Sequence, residues 1–224
     1  MINSKGTSSR PLFQALRLLL CALLLVSLLP QGVLAANNNP EGGYVGGLPA
    51  PGVSQDDMEN NYGTIGSLYS NGTVFINSGT INSSAGTVHT NNGTIIDHIA
   101  GTVITNSGTI KRISNTATLT TNATSGTVEV NAPGGTITRN DGIVANNSAT
   151  VTVNKGTIIA NHGLVSDHLG TIITNEKRGT VNITNTNPKI YPSIETNAGT
   201  VQVTGGNLKL LNNTGTVTLK NASL

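Results

Sequence analysis

The sequence predicts an all-β protein, a parallel β-solenoid, and three observations carry that expectation. A unit of Gly-Thr-Ile/Val, a few polar residues and usually an Asn recurs from Gly63 almost to the C-terminus. Its spacing of roughly seven to nine residues is too short for a helical repeat and fits one strand plus one corner. The third residue of the unit is aliphatic almost throughout, as in Ile65, Val74, Ile81, Val88 and Ile95, so stacked coils would stack these side chains into a column.

The N-terminus reads as a secretory signal peptide over residues 1–35. Lys5, Arg10 and Arg17 precede an apolar run at 18–29, and Val33, Leu34 and Ala35 supply the small-residue cleavage pattern. The run is about a dozen residues, short of the ~20 that span a bilayer, so a secreted or cell-surface protein with no stable membrane span after cleavage is expected. Those three basic residues have no acidic counterpart, and removing them from the whole-chain charge of +2 leaves −1. A basic surface for nucleic acid is therefore not expected. Cys21, inside the apolar run, is the only cysteine, which excludes disulfides and thiolate metal ligands from the secreted chain.

Residues 36–60 are rich in Asn, Gly and Pro and read as a flexible lead-in. Alternatively, Tyr44, Val45, Leu48, Val53 and Met58 fold over the first coil as a partial cap.

Residues 61–224 read as the solenoid domain. Alternation along a strand places the third residue inward, the fifth inward with it (Ile76, Val130, Val153, Ile183, Val203, Leu210, Leu219) and the Thr at the second outward. Asn at the sixth falls at a corner, where it tolerates left-handed φ and bonds its equivalents in neighbouring coils. Gly at the first position relieves the same backbone demand. Three faces of about seven residues, about 21 to 23 per coil, give about six coils. An internal likeness supports three faces, since Asp97-His98 and Asp167-His168 sit in matching contexts nine repeats apart. They would then share one face, about three rungs or ~14 Å apart. The stretch 185–197, with Pro188, Tyr191 and Pro192, breaks the rhythm as a loop insertion.

Few residues offer chemistry. The two Asp-His pairs are the only recurring titratable motif, and neither supplies enough ligands for a metal, so no metal, cofactor or catalytic residue is assigned. Candidate binding residues are Lys189, Tyr191 and Glu195 of the insertion, together with Asp97, His98, Asp167 and His168. The histidines read as replacements for Asn at the sixth position. Asp97, Glu129, Asp141, Asp167, Glu176 and Glu195 are scattered, without the close carboxylate pair of a glycosidase. The outward pairs Thr118/Thr120, Thr136/Thr138, Thr150/Thr152 and Thr216/Thr218 suggest ice binding, but three-face phasing puts the first three pairs on different faces.

The repeat Asn-x-Gly-Thr-Ile/Val over about residues 61–224 resembles the coils of filamentous-haemagglutinin-like and autotransporter-passenger β-helices of secreted bacterial adhesins. The resemblance implies a β-helix and an adhesin-like role, and it carries over no functional residue. The leading expectation is thus a secreted or cell-surface structural module without catalysis, contacting a surface glycan or protein. The alternatives are a carbohydrate-active β-helix enzyme or binder and an ice-binding protein. An uncovered Val217/Leu219 strand near the end of the chain adds an expectation of end-to-end self-association through residues 206–224.

Overall fold

The structure is a computed structural model that describes residues 38–48, 56–184, 187 and 189–224, all within one unit spanning 37–224. The expected signal peptide lies outside the described residues, as does Val53.

The described chain is a parallel solenoid of two sheets. One, the odd sheet, is twelve-stranded and stacks β1 (Asn38–Asn39), β3 (Asp56–Asn61), β5 (Gly72–Asn77), β7 (Thr87–Asn91), β9 (Thr102–Asn106), β11 (Thr118–Asn122), β13 (Thr136–Asn140), β15 (Thr150–Asn154), β17 (Leu164–His168), β19 (Thr180–Ile183), β21 (Thr200–Asn207) and β23 (Thr216–Ser223). The other, the even sheet, is eleven-stranded and stacks β2 (Tyr44–Leu48), β4 (Thr64–Leu68), β6 (Thr80–Ser84), β8 (Thr94–His98), β10 (Thr109–Ile113), β12 (Thr127–Asn131), β14 (Ile143–Asn147), β16 (Thr157–Asn161), β18 (Thr171–Asn175), β20 (Ser193–Asn197) and β22 (Lys209–Asn213). The chain crosses from one sheet to the other at every corner, and every ladder is parallel and in register.

This corrects the expectation of three faces and about six coils. Each turn uses two strands, so Thr73 pairs with Thr87 only fourteen positions on, and about eleven turns result. The narrow interior of the two-sided coil is filled by two kinds of column. In most strands a Val or Ile directly follows the first outward Thr and makes the apolar core, with Val74, Ile81, Val88, Ile95, Val103 and Ile110 all at 0% exposure. Asn from the last residue of most strands supplies the polar columns, as Asn77, Asn91, Asn106 and Asn122 do at 0% exposure.

The expected inward fifth position of the repeat is overturned by the same geometry. Ile76 is 39% exposed, whereas Ile183 and Val203 are buried, and Leu219 stands in register with Val203 on the terminal strand β23, where it is 41% exposed. In the five-residue strands the ladder pairs the first, second, fourth and fifth residues and skips the third, as between β10 and β12. The strand bends there, two successive residues face outward, and the following Asn swings in. Between β19 and β21 the ladder is continuous, alternation is restored, and Ile183 and Val203 turn inward.

The corner chemistry also differs from expectation. Among the described residues positive φ occurs at only two non-Gly positions, Asn115 and Asn221, so the buried Asn columns lie in extended backbone. Glycine is needed at the corner preceding the even strands for a different reason. A Cβ on Gly93 would fall on the carbonyl oxygen of Gly79 one turn below and within 2.7 Å of the Ser78 carbonyl carbon. The corner is closed by backbone stacked on backbone, leaving no space for a side chain.

The ends of the expected lead-in and loop shift as well. Residues 36–60 contain β1, β2 and most of β3, with Leu48 and Met58 in the core. The insertion contracts, because Ser193–Asn197 pairs with β18 as strand β20.

The inward assignment is testable by stability. Val151 is fully buried and Thr152 exposed. Val151→Asp should lower the urea midpoint by an amount equivalent to several kcal/mol, since a carboxylate would enter a dry aliphatic column, and Thr152→Asp should leave it nearly unchanged.

Candidate functional site

Two ladders of buried amides run along the axis. In the odd sheet Asn39, Asn61, Asn77, Asn91, Asn106, Asn122, Asn140 and Asn154 each donate from Nδ2 to Oδ1 of the next Asn at 2.6–2.8 Å, until Asn154 meets His168. In the even sheet Asn131, Asn147, Asn161, Asn175 and Asn197 do the same at 2.7–2.8 Å, and the ladder ends on Asn213, which accepts from Asn197. The second Nδ2 hydrogen is used too. Asn106, for example, also reaches the carbonyls of Gly108 and Thr127, at 3.2 and 3.3 Å. In the five turns before Asn131 the even column holds Leu48, Leu68, Ser84, His98 and Ile113 instead. Ile113 can donate nothing, and the buried Oδ1 of Asn131 is left without a partner.

The histidines are members of these columns. Asn154 Nδ2 donates to Nδ1 of His168 at 3.1 Å, which puts the ring proton on Nε2, donating to the Ser193 carbonyl at 3.1 Å. Burial pushes this imidazole down to about 4, against the opposing pull of the Ser193 carbonyl and the Asp167 charge. His98 faces two carbonyls, Ser84 O at 3.3 Å through Nδ1 and Thr118 O at 3.2 Å through Nε2. Its pKa is also lowered by burial, which outweighs those two bonds and Asp97.

The seven candidate binding residues do not converge. Asp97 and His98 belong to β8 in the even sheet, whereas Asp167 and His168 belong to β17 in the odd sheet. An odd repeat separation, compatible with one face of a triangular coil, places the pairs on opposite sheets of a two-sided one. His98 and His168 point inward and are buried, so no dissolved ligand reaches them. The two aspartates point outward, accepting bonds from Ser114 Oγ at 3.4 Å and Thr184 Oγ1 at 3.1 Å. Lys189 and Tyr191 are exposed in the segment between β19 and β20, and Glu195 is exposed on β20. Among the described residues no three His, Cys, Asp or Glu side chains gather as a metal would require.

The structure brings together two groups elsewhere. Thr118/Thr120, Thr136/Thr138, Thr150/Thr152 and Thr216/Thr218 all lie on the odd sheet, the first three pairs on adjacent strands. This overturns their assignment to different faces. The second group lies on the first turns of the even sheet, where Gly46, Gly47 and Gly66 leave the outer surface bare of side chains. Tyr44 reaches across it, with its Oη 2.8 Å from where a Gly66 Cβ would stand. Tyr69 folds back from the end of β4, its Cε2 2.7 Å from a Cβ on Gly47. Tyr44 remains 70% exposed and Tyr69 52%. Composition hid this pair, because so few aromatics overall discouraged a search for two together.

Compared with family models, curated proteins and solved structures, the chain matches none of them. The fold defines its class, a two-sheet parallel β-solenoid, and the surfaces carry the rest of the argument.

Burial of His168 predicts an acid-labile fold. The unfolded chain takes up this proton near pH 6.5 and the folded chain only near 4, so the associated stability is complete above 6.5 and is lost as pH falls toward 4. The loss approaches ~3 kcal/mol. Denaturation midpoints between pH 7 and 4.5 should fall less steeply in His168→Asn, whose amide can accept from Asn154 and donate to Ser193. His98 contributes with the same sign and should preserve part of the slope.

Proposed function

We propose that the protein is an extracellular, adhesin-like solenoid that retains glycans on the aromatic platform at the N-terminal turns of its even sheet. The observation that carries this reading is the pair of tyrosine rings, Tyr44 and Tyr69, lying on a floor of Gly46, Gly47 and Gly66 with much of their surface open. A pyranose presents one face of C–H groups and a rim of hydroxyls. A tyrosine laid on bare backbone presents the complementary apolar face with its own polar edge. Ser67 and Ser83, paired across β4 and β6, and the exposed Asn82 place further hydroxyl and amide groups beside the rings. The rigid solenoid pre-forms this surface, which limits the ordering required on binding.

Retention on immobilised glycans tests the proposal. Tyr44→Ala and Tyr69→Ala should each weaken retention by about tenfold, close to the ~0.5–1.5 kcal/mol of an aromatic contact plus its lost area. Tyr191→Ala, in the segment between β19 and β20, should leave retention unchanged. The reverse pattern would move the site to that segment, and release of soluble sugar from the matrix would mark a carbohydrate-active enzyme.

A further inference from the structure

We infer that the outer surface of the odd sheet is an ice-binding face, built on the threonine lattice of β11, β13 and β15. The two residues that set the lattice are the first and third of each strand, Thr118 and Thr120, Thr136 and Thr138, Thr150 and Thr152. Thr118 pairs with Thr136 and Thr136 with Thr150, and the second and fourth residues of these strands pair likewise, so Thr120, Thr138 and Thr152 between them follow the same register. Neighbouring rungs are separated by ~4.8 Å, so the two threonine rows repeat together along the axis as an array of hydroxyls and methyls. The first column continues backward through Thr102, Thr87 and Thr73 on successive strands.

The chemistry of the grid selects its ligand. A small dissolved molecule touches one or two rungs and gains nothing from repetition, whereas a crystal surface meets every rung at once. A mineral face would call for rows of charge. From β5 to β15 the only residue with a permanent charge among the outward positions of this sheet is Arg139, and its Nε is held by Asp141 at 2.6 Å. The even sheet differs, with Asp97, Lys111, Arg112 and Glu129 on β8 to β12. An uncharged array of hydroxyls that both donate and accept, interleaved with methyls, suits crystalline water. Threonine is stiff at χ1, so little side-chain freedom remains to be lost on contact. The buried amide ladder beneath is the kind of side-chain ladder that keeps a sheet from twisting, and a grid can match a planar lattice only while it stays flat.

The experiment is partition into slowly growing polycrystalline ice, read with inhibition of ice recrystallisation by the purified protein. Wild type should concentrate in the ice fraction and hold grains small. Thr138→Lys, at the centre of the grid, should lose both effects, and Thr152→Lys on the next rung repeats the test should Thr138→Lys fail to fold. Ile159→Lys on the exposed face of the even sheet should keep both, and Tyr44→Ala should keep both while losing glycan retention. Exclusion of wild type from ice, or equal loss in Thr138→Lys and Ile159→Lys at unchanged denaturation midpoints, would overturn the inference.

Discussion

Everything in this molecule depends on a buried primary amide finding its partner one turn away. An Asn side chain held in a dry interior costs about 1–3 kcal/mol for each polar group left unsatisfied. Here Nδ2 gives one hydrogen to the next amide and the other to backbone carbonyls, while Oδ1 accepts from the turn before. The requirement is translational. A turn that slipped by one residue would put its amide outside and an outward residue inside, breaking the ladder above and below, so register is enforced at each rung. Glycine at the corners follows from the same closeness, because turns stacked at the spacing of a β-ladder leave room there only for backbone.

With the interior reduced to one aliphatic and one polar column per sheet, the outward side chains are free of structural duty. The two sheets use that freedom differently. The odd sheet keeps uncharged Thr in regular rows, and the even sheet opens with tyrosines on glycine and then carries charge. Where the amide ladder stops, the strands change character. Beyond His168 the odd sheet regains strict alternation and buries Ile183 and Val203 in place of Asn. In the even sheet the order is inverted, with Leu48, Leu68 and Ile113 inside early and Asn131 onward inside late. Each column thus has an apolar stretch and an amide stretch, and the two are offset along the axis.

Much of this was legible in the sequence. The parallel solenoid followed from the glycine-led period, and the third-position column Ile65, Val74, Ile81 and its successors is the observed core. Bonding between Asn of successive coils was also legible, though not its place inside the protein. The repeat puts Asn at a corner and the fifth position inward, because no linear pattern announces the bend that makes two residues in a row face solvent. The expectation of three faces rests on a coil of about 21 to 23 residues and on the nine-repeat separation of the Asp-His pairs, which the structure places on opposite sheets of a two-sided coil. The candidate site was less legible still. Asp97 and Asp167 drew attention by recurrence, yet recurrence in a repeat protein records the repeat. Tyr44 and Tyr69 are far apart in sequence, and only the stacking of β2 on β4 brings them to one surface.

The central claim is that the amide ladder, more than the aliphatic column alone, holds the turns in place. Asn91 lies mid-ladder, accepting from Asn77 and donating to Asn106, and Thr90 beside it points outward. Equilibrium urea unfolding of Asn91→Leu against Thr90→Ala is the most direct measurement. The account predicts that Asn91→Leu, though more apolar, is destabilised by about 2–5 kcal/mol because the Asn77 donor and the Asn106 acceptor are both orphaned, while Thr90→Ala stays near wild type. A midpoint for Asn91→Leu equal to or above wild type would contradict it and give the stability of the solenoid to its aliphatic column.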